Sequence, residues 1–260
     1  MATTKILYKN TYLSYTDKGK GNTLIFLHGF LEDSKMWNYY LDYFSKKYRV
    51  IAIDLLGHGE SGCIGYIHSM EDMADAVFTI TNSLNLKRVT LIGHSMGGYV
   101  SLAFGELYPD NVKKIILVSS TTRADSPERQ INRDRAAEVI KKNSDLFVTM
   151  AINNTFLEDT KITHAKEVQE HLDTALKTPK QGILAAVEGM KSRNDREVLL
   201  HFAPYPISMI IGNADPVLSI NDITKEVENT ESDLTIIPGG HLLQIEAKEE
   251  LLEALKNTLK

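Results

Sequence analysis

Six short apolar runs, each four or five residues long and each cut off by polar residues or glycine, constrain this chain more than any other feature. They are Thr23–Leu27, Val50–Ile53, Val89–Ile92, Ile115–Val118, Ile207–Ile211 and Leu234–Ile237. Runs this short, apolar without alternation, suit strands covered on both faces of a sheet. Amphipathic segments of helical length lie between them, among them Met70–Leu84, Met96–Tyr108 and Lys248–Leu259. Alternating strand and helix predict an α/β fold with a mostly parallel central sheet flanked by helices. Ahead of it, Lys5–Tyr8 and Tyr12–Tyr15 around the Lys9–Asn10 turn predict a hairpin.

The alternation breaks once. From about Thr121 to about Leu200 only helical patterns occur, one opening at Ser126–Pro127 and another at Thr178–Pro179, each read as an N-cap followed by proline in the first helical position. The expected organisation is a core of residues 1–120 and 201–260 with a helical lid, 121–200, over the C-terminal edge of the strands. Ligands bind at that edge in open α/β sheets. Basic residues between Arg123 and Lys142 alternate with Glu and Asp and read as a solvated helix face. Phe147, Met150 and Phe156 read as lid core rather than pocket lining.

A composition of 43% hydrophobic and 24% charged residues is that of an ordinary soluble globular protein. The single cysteine, Cys63, excludes an internal disulfide framework and a cysteine-based metal cluster. A net charge of −5 argues against a nucleic-acid partner. The segment MATTKILYKN lacks a secretory apolar stretch, and no run approaches the roughly 18–20 apolar residues of a membrane span. A cytoplasmic protein with a small-molecule partner and no membrane span is the expectation.

The chemistry centres on Gly93–His94–Ser95–Met96–Gly97–Gly98, directly after the run VTLI and opening a helical pattern. G-x-S-x-G between strand and helix is a nucleophile elbow, in which a cramped turn lifts the serine hydroxyl clear of the sheet. Serine needs a base, and the base needs a carboxylate to hold it. The run Ile207–Ile211 is followed by Gly212–Asn213–Ala214–Asp215–Pro216, and Leu234–Ile237 by Pro238–Gly239–Gly240–His241. Ser95, Asp215 and His241 are therefore the candidate catalytic residues. Two backbone N–H groups must hold the oxyanion, and Met96, after the nucleophile, and Phe30, in the loop His28–Leu31, are the candidates. His28 reads as structural in its HG turn. His94 is expected to point sideways and shape the elbow, His58 sits in a glycine-flanked loop, and His68, His164, His171 and His201 show no partner pattern.

With HGF at 28–30, DLLGHGES at 54–61, GHSMGG at 93–98, GNADPV at 212–217 and PGGH at 238–241, the chain resembles the α/β-hydrolase superfamily over essentially its full length. The resemblance implies an α/β-hydrolase fold with an inserted cap, a structural Asp54 in a loop shaping the active-site wall, and no cofactor or metal. Ser95 separates the chain from the branches with Asp at this position, the haloalkane dehalogenases and epoxide hydrolases. Tyr99 departs from the Arg usual after SMGG in the menaquinone-pathway lyase. Some members place the acid after the strand that here is Ile115–Val118, where Asp125 is the nearest carboxylate and a distant second to Asp215. HGF paired with the S-M-G-G elbow looks like bacterial esterases and cofactor-free perhydrolases, with Phe30 lining an acyl pocket. The expected activity is hydrolysis of small or medium carboxylic esters through an acyl-enzyme. The alternatives are carbon–carbon bond cleavage or perhydrolysis by the same triad, or a receptor-like protein with little turnover.

Overall fold

Strand polarity organises the molecule, whose computed structural model describes residues 3–260. Eight strands form one sheet: β1 (Thr3–Tyr8), β2 (Thr11–Lys18), β3 (Thr23–Leu27), β4 (Arg49–Asp54), β5 (Val89–His94), β6 (Val112–Val118), β7 (Ile207–Gly212) and β8 (Asp233–Ile237), in the order β1-β2-β4-β3-β5-β6-β7-β8. The predicted hairpin is β1–β2, and β2 pairs antiparallel with β4 as well; every other pairing is parallel. Strand order reverses at β3, because β4 lies on one side of it and β5 on the other. The loops leaving β3 and β5 therefore diverge from a common point and leave a crevice between them.

Period-2 alternation sends successive strand residues into two separate cores. Ile25, Leu27, Ile51, Ile53 and Leu91 face one core, and Leu24, Phe26, Val50, Ala52 and Ile92 face the other. The helices α1 (Asn38–Phe44), α2 (Met70–Ser83) and α3 (Met96–Leu107) cover these faces, with α2 and α3 on the first and α1 on the second. The run Leu234–Ile237 departs from the expectation of two-sided cover. As the last strand of the sheet, β8 has one neighbour, and Ile236 is 47% exposed.

Six helices lie between β6 and β7, and the first five are α4 (Pro127–Lys142), α5 (Ser144–Asn153), α6 (Glu158–Thr163), α7 (Ala165–Ala175) and α8 (Lys180–Lys191). Ser126 caps α4 by accepting from the Arg129 N–H, with Pro127 in the first turn. At α8 the prediction is off by one position: Pro179, with ψ of 138°, is itself the cap, and the helix starts at Lys180. Ile140, Val148, Ile152, Phe156, Ile183 and Val187 build a third, smaller core that includes Leu31 and Leu242 from the loops after β3 and β8. Short α9 (Leu199–Phe202) leads into β7; α10 (Ile220–Val227), α11 (Leu243–Glu246) and α12 (Lys248–Thr258) complete the chain, α12 sharing the second core with α1. Among the described residues, no helix is long and apolar enough to cross a membrane.

Candidate active site

Ser95 follows the last residue of β5 and precedes the first of α3, in a backbone conformation, φ 47° and ψ −112°, that a non-glycine residue rarely adopts. Its surroundings hold it there. The Ser95 N–H donates to the Val118 carbonyl at 2.9 Å, and the Ser95 carbonyl accepts from the Gly98 N–H at 2.9 Å and the Ser120 hydroxyl at 2.8 Å. A side chain at Gly93 would overlap the Gly97 carbonyl, and one at Gly97 would overlap the Leu27 carbonyl. Both glycines of the elbow are therefore required by close backbone approach.

The loops after β7 and β8 bring Asp215 and His241 to this serine. His241 Nε2 lies 3.1 Å from Ser95 Oγ, and His241 Nδ1 lies 2.8 Å from Asp215 Oδ2. The other Asp215 oxygen accepts from the N–H groups of Val217 and Leu218, at 2.8 and 2.9 Å. Burial alone would raise the Asp215 carboxyl; the neighbouring His241 and the two backbone donors outweigh it and keep the group below its ordinary value. An ionised Asp215 fixes the His241 tautomer with its proton on Nδ1, which leaves Nε2 free to accept from Ser95.

A second histidine–carboxylate pair lies directly behind this one. His94 Nδ1 is 2.9 Å from Glu32 Oε2, and His94 Nε2 is 3.0 Å from the main-chain carbonyl of His241. Glu32 also accepts from the Gly29 N–H and from Gln244 Nε2. Both ring nitrogens of His94 thus face acceptors, which a neutral imidazole cannot satisfy. Burial opposes charge on both groups, yet their mutual attraction and hydrogen bond raise the His94 imidazole and lower the Glu32 carboxyl to about 2. The buried pair is an imidazolium and a carboxylate, tethered to the backbone of His241. His94 bonds to Glu32 and to the His241 carbonyl; the ion pair has no local signal, because Glu32 stands 62 residues away in sequence.

Ser95 and His241 open into a cavity of about 190 Å³ walled by Phe30, Phe147, Ile152 and Leu242 on its apolar side and by Tyr99, Arg129 and Arg133 elsewhere. Expectations for the helical insertion are revised here. Phe147 lines the cavity, Met150 is 54% exposed, and Phe156 is buried with its ring edge-on to His171. The predicted solvated face of α4 is solvated only in part, since Arg129 and Arg133, one turn apart, face the cavity. His171 also reaches the cavity wall, where burial pushes its imidazole down. Asp125 is ion-paired to Arg133 and Arg193, at 3.0 and 2.6 Å, rather than to any histidine. His28 is structural: its Nε2 accepts from the Leu55 N–H at 2.9 Å. Asp54 accepts from the N–H groups of Ser34 and Glu60, which pins the two loops together.

A doubly wound sheet carrying a strained serine at a strand-to-helix elbow defines the class: an α/β hydrolase. The α/β-hydrolase fold family model matches residues 22–248, and the chain belongs to that family. A thermophilic esterase from Thermogutta terrifontis, solved with malate bound, superposes with a TM-score of 0.93 at 31% identity, covering 100% of this chain and 98% of that one. The dihydrolipoyllysine-residue acetyltransferase component of the acetoin cleaving system of Pseudomonas putida is 29% identical over 90% of this chain and 62% of its own length. The 2-hydroxy-6-oxononadienedioate/2-hydroxy-6-oxononatrienedioate hydrolase of Paraburkholderia phymatum is 33% identical over 64% of this chain and 66% of its own length. The chain thus spans less than two thirds of these two curated relatives.

Proposed function

We propose that the protein is a serine hydrolase cleaving carboxylic esters with small or medium acyl groups. The observation that carries this reading is the continuous line from Asp215 through His241 to Ser95, with contacts of 2.8 and 3.1 Å. His241 Nε2 takes the Ser95 proton as Oγ attacks the ester carbonyl, forming a tetrahedral oxyanion. The N–H groups of Phe30 and Met96 are the proposed donors to it, and among the described residues neither donates to a main-chain carbonyl in the turns and loops. His241 returns the proton to the departing alcohol, leaving an acyl-Ser95 ester. Water then gives up a proton to His241 and attacks that ester, and the acid is released with Ser95 restored. Asp215 holds the imidazole and stabilises its transient charge. Helices α4–α8 act in this reading as a cap whose residues size the acyl pocket. The similarity to the Thermogutta esterase along the whole chain supports esters as the substrates.

Hydrolysis of p-nitrophenyl esters from acetate to palmitate, by wild type and Ser95→Ala, tests the assignment. A rate peaking at short or middle chains and falling on the order of 10³-fold or more in the variant is expected. A variant within tenfold of wild type overturns it. Carbon–carbon bond hydrolysis by the same three residues is a second reading, favoured by the 33% identity to the Paraburkholderia hydrolase. Fluorophosphonate labelling of Ser95 without turnover of any ester would select it.

A further inference from the structure

We propose that Arg129 and Arg133 form a carboxylate-binding wall, and that the substrate is an ester carrying a second, free carboxylate a few carbons from the scissile carbonyl. The proposal rests on the ester reading for the reaction, but the wall itself is a binding site with its own observations. Arg129 and Arg133 are one helical turn apart on α4, so their side chains lie on the same face. That face lines the cavity holding Ser95 and His241.

Neither arginine is accounted for by structure alone. The Asp125 carboxylate is met by Arg193 at 2.6 Å in a pair whose side chains are 2% and 0% exposed. Arg133 adds a second guanidinium to that carboxylate through Nε alone, at 3.0 Å. Arg129 donates from Nη2 to the Val217 carbonyl at 2.6 Å and, among the described residues, lies within 4.0 Å of no carboxylate. Arg133 and Arg193 thus share the Asp125 carboxylate and Arg129 has none, while Glu32, the carboxylate in the cavity lining, is matched by His94. A guanidinium carries five N–H donors, so each cavity arginine keeps most of its donors for a ligand.

The apolar wall, Phe30, Phe147, Ile152 and Leu242, belongs to the third core, and Glu32, the carboxylate in the lining, is held by His94. A ligand that satisfies both walls has an alkyl body and an anionic end. A carboxylate matches the guanidinium fork bidentately, and it is a group that a short ester can carry. At about 190 Å³ the cavity is smaller than the ~300–1,000 Å³ of drug-sized sites, which suits a chain of a few carbons.

The test compares monomethyl glutarate with methyl pentanoate, equal in acyl length, by pH-stat, and measures the shift of the unfolding midpoint caused by glutarate alone. Wild type should favour the half ester in kcat/KM, and Arg129→Gln should lower that selectivity by about 10- to 100-fold, mainly through KM. Arg129→Lys should restore part of it. Glutarate should raise the wild-type midpoint and leave Arg129→Gln unmoved. Turnover of both esters without preference, and no glutarate shift, overturns the carboxylate wall and spares the ester reading. An Arg129-dependent glutarate shift with no ester turned over leaves the wall standing and overturns the ester reading. Should Arg129→Gln fail to fold, the wild-type preference and Arg133→Gln decide in the same way.

Discussion

Two histidine–carboxylate pairs stand within one site, and they do different work. In the proposed reaction His241 exchanges a proton, and its Nε2 is left to Ser95, at 3.1 Å. His94 does not, since both its nitrogens are committed and its charge is held by Glu32. Because His94 donates to the His241 carbonyl, the inner pair positions the outer one. Glu32→Gln removes a buried charge and leaves the imidazolium unmatched, so it should cost about 3–5 kcal/mol of folding stability. Its turnover should drop on the order of 10-fold or more as His241 loses its anchor. Urea unfolding and ester kinetics check this; a variant within about 1 kcal/mol of wild type contradicts the charged pair. Asp215→Asn acts on the outer pair and should lower kcat by about 10⁴-fold, by presenting the wrong imidazole tautomer to Ser95. Ser95, Asp215 and His241 were legible because each follows an apolar run within a glycine-bearing turn. Glu32 and Gln244, 212 residues apart, meet only through the packed loops, and nothing local in either segment marks the contact.

Among the elements, the sheet was legible and the insertion only partly so. Two-sided burial writes itself into the sequence as uninterrupted apolar runs, and β3, β5 and β7 lie where those runs fall. In α4 the surface and the cavity are both polar, so hydropathy does not distinguish the face that carries Arg129 and Arg133 from the face in water. In α5 the reverse holds: Phe147 and Met150 are both apolar, yet one lines the cavity and the other is exposed. Phe147 stands with its ring centre 6.3 Å from that of Phe30, closing the apolar side of the cavity. Phe147→Ala should therefore open room beyond the short acyl groups. Its preferred p-nitrophenyl ester should lengthen by about two carbons, each methylene being worth roughly 1–3 kcal/mol of discrimination. An unchanged chain-length optimum, with overall activity reduced, would instead make Phe147 a packing residue of the insertion.

Across the whole molecule, the helical insertion joins the helices that cover the sheet through charge as well as apolar surface. Arg196, 2% exposed, reaches Glu71 on α2 and Glu106 on α3, while within the insertion Arg193 meets Asp125 in the interior. Around the cavity, Glu32 is in the lining, Asp125 pairs with the lining residue Arg133, and Asp215 with the lining residue His241. Their protonation links catalysis and stability to pH in one direction. Glu32, Asp125 and Asp215 are all held below their ordinary values, so the unfolded chain binds more protons than the native one as pH falls. Their stabilisation is present above about pH 4.5 and is lost on acidification towards about pH 2, where Glu32 titrates. His94 acts with the opposite sign: raised above 6.5, it contributes fully below that pH and less as pH rises through its folded value. The inner pair therefore stabilises the fold most strongly from about pH 5 to 6.5. Urea midpoints of wild type and Glu32→Gln, measured from pH 2.5 to 9, should differ most in that window and converge on both sides of it. A constant offset across the whole range would mean that Glu32 contributes packing and neutral hydrogen bonds, with no charged partner in His94.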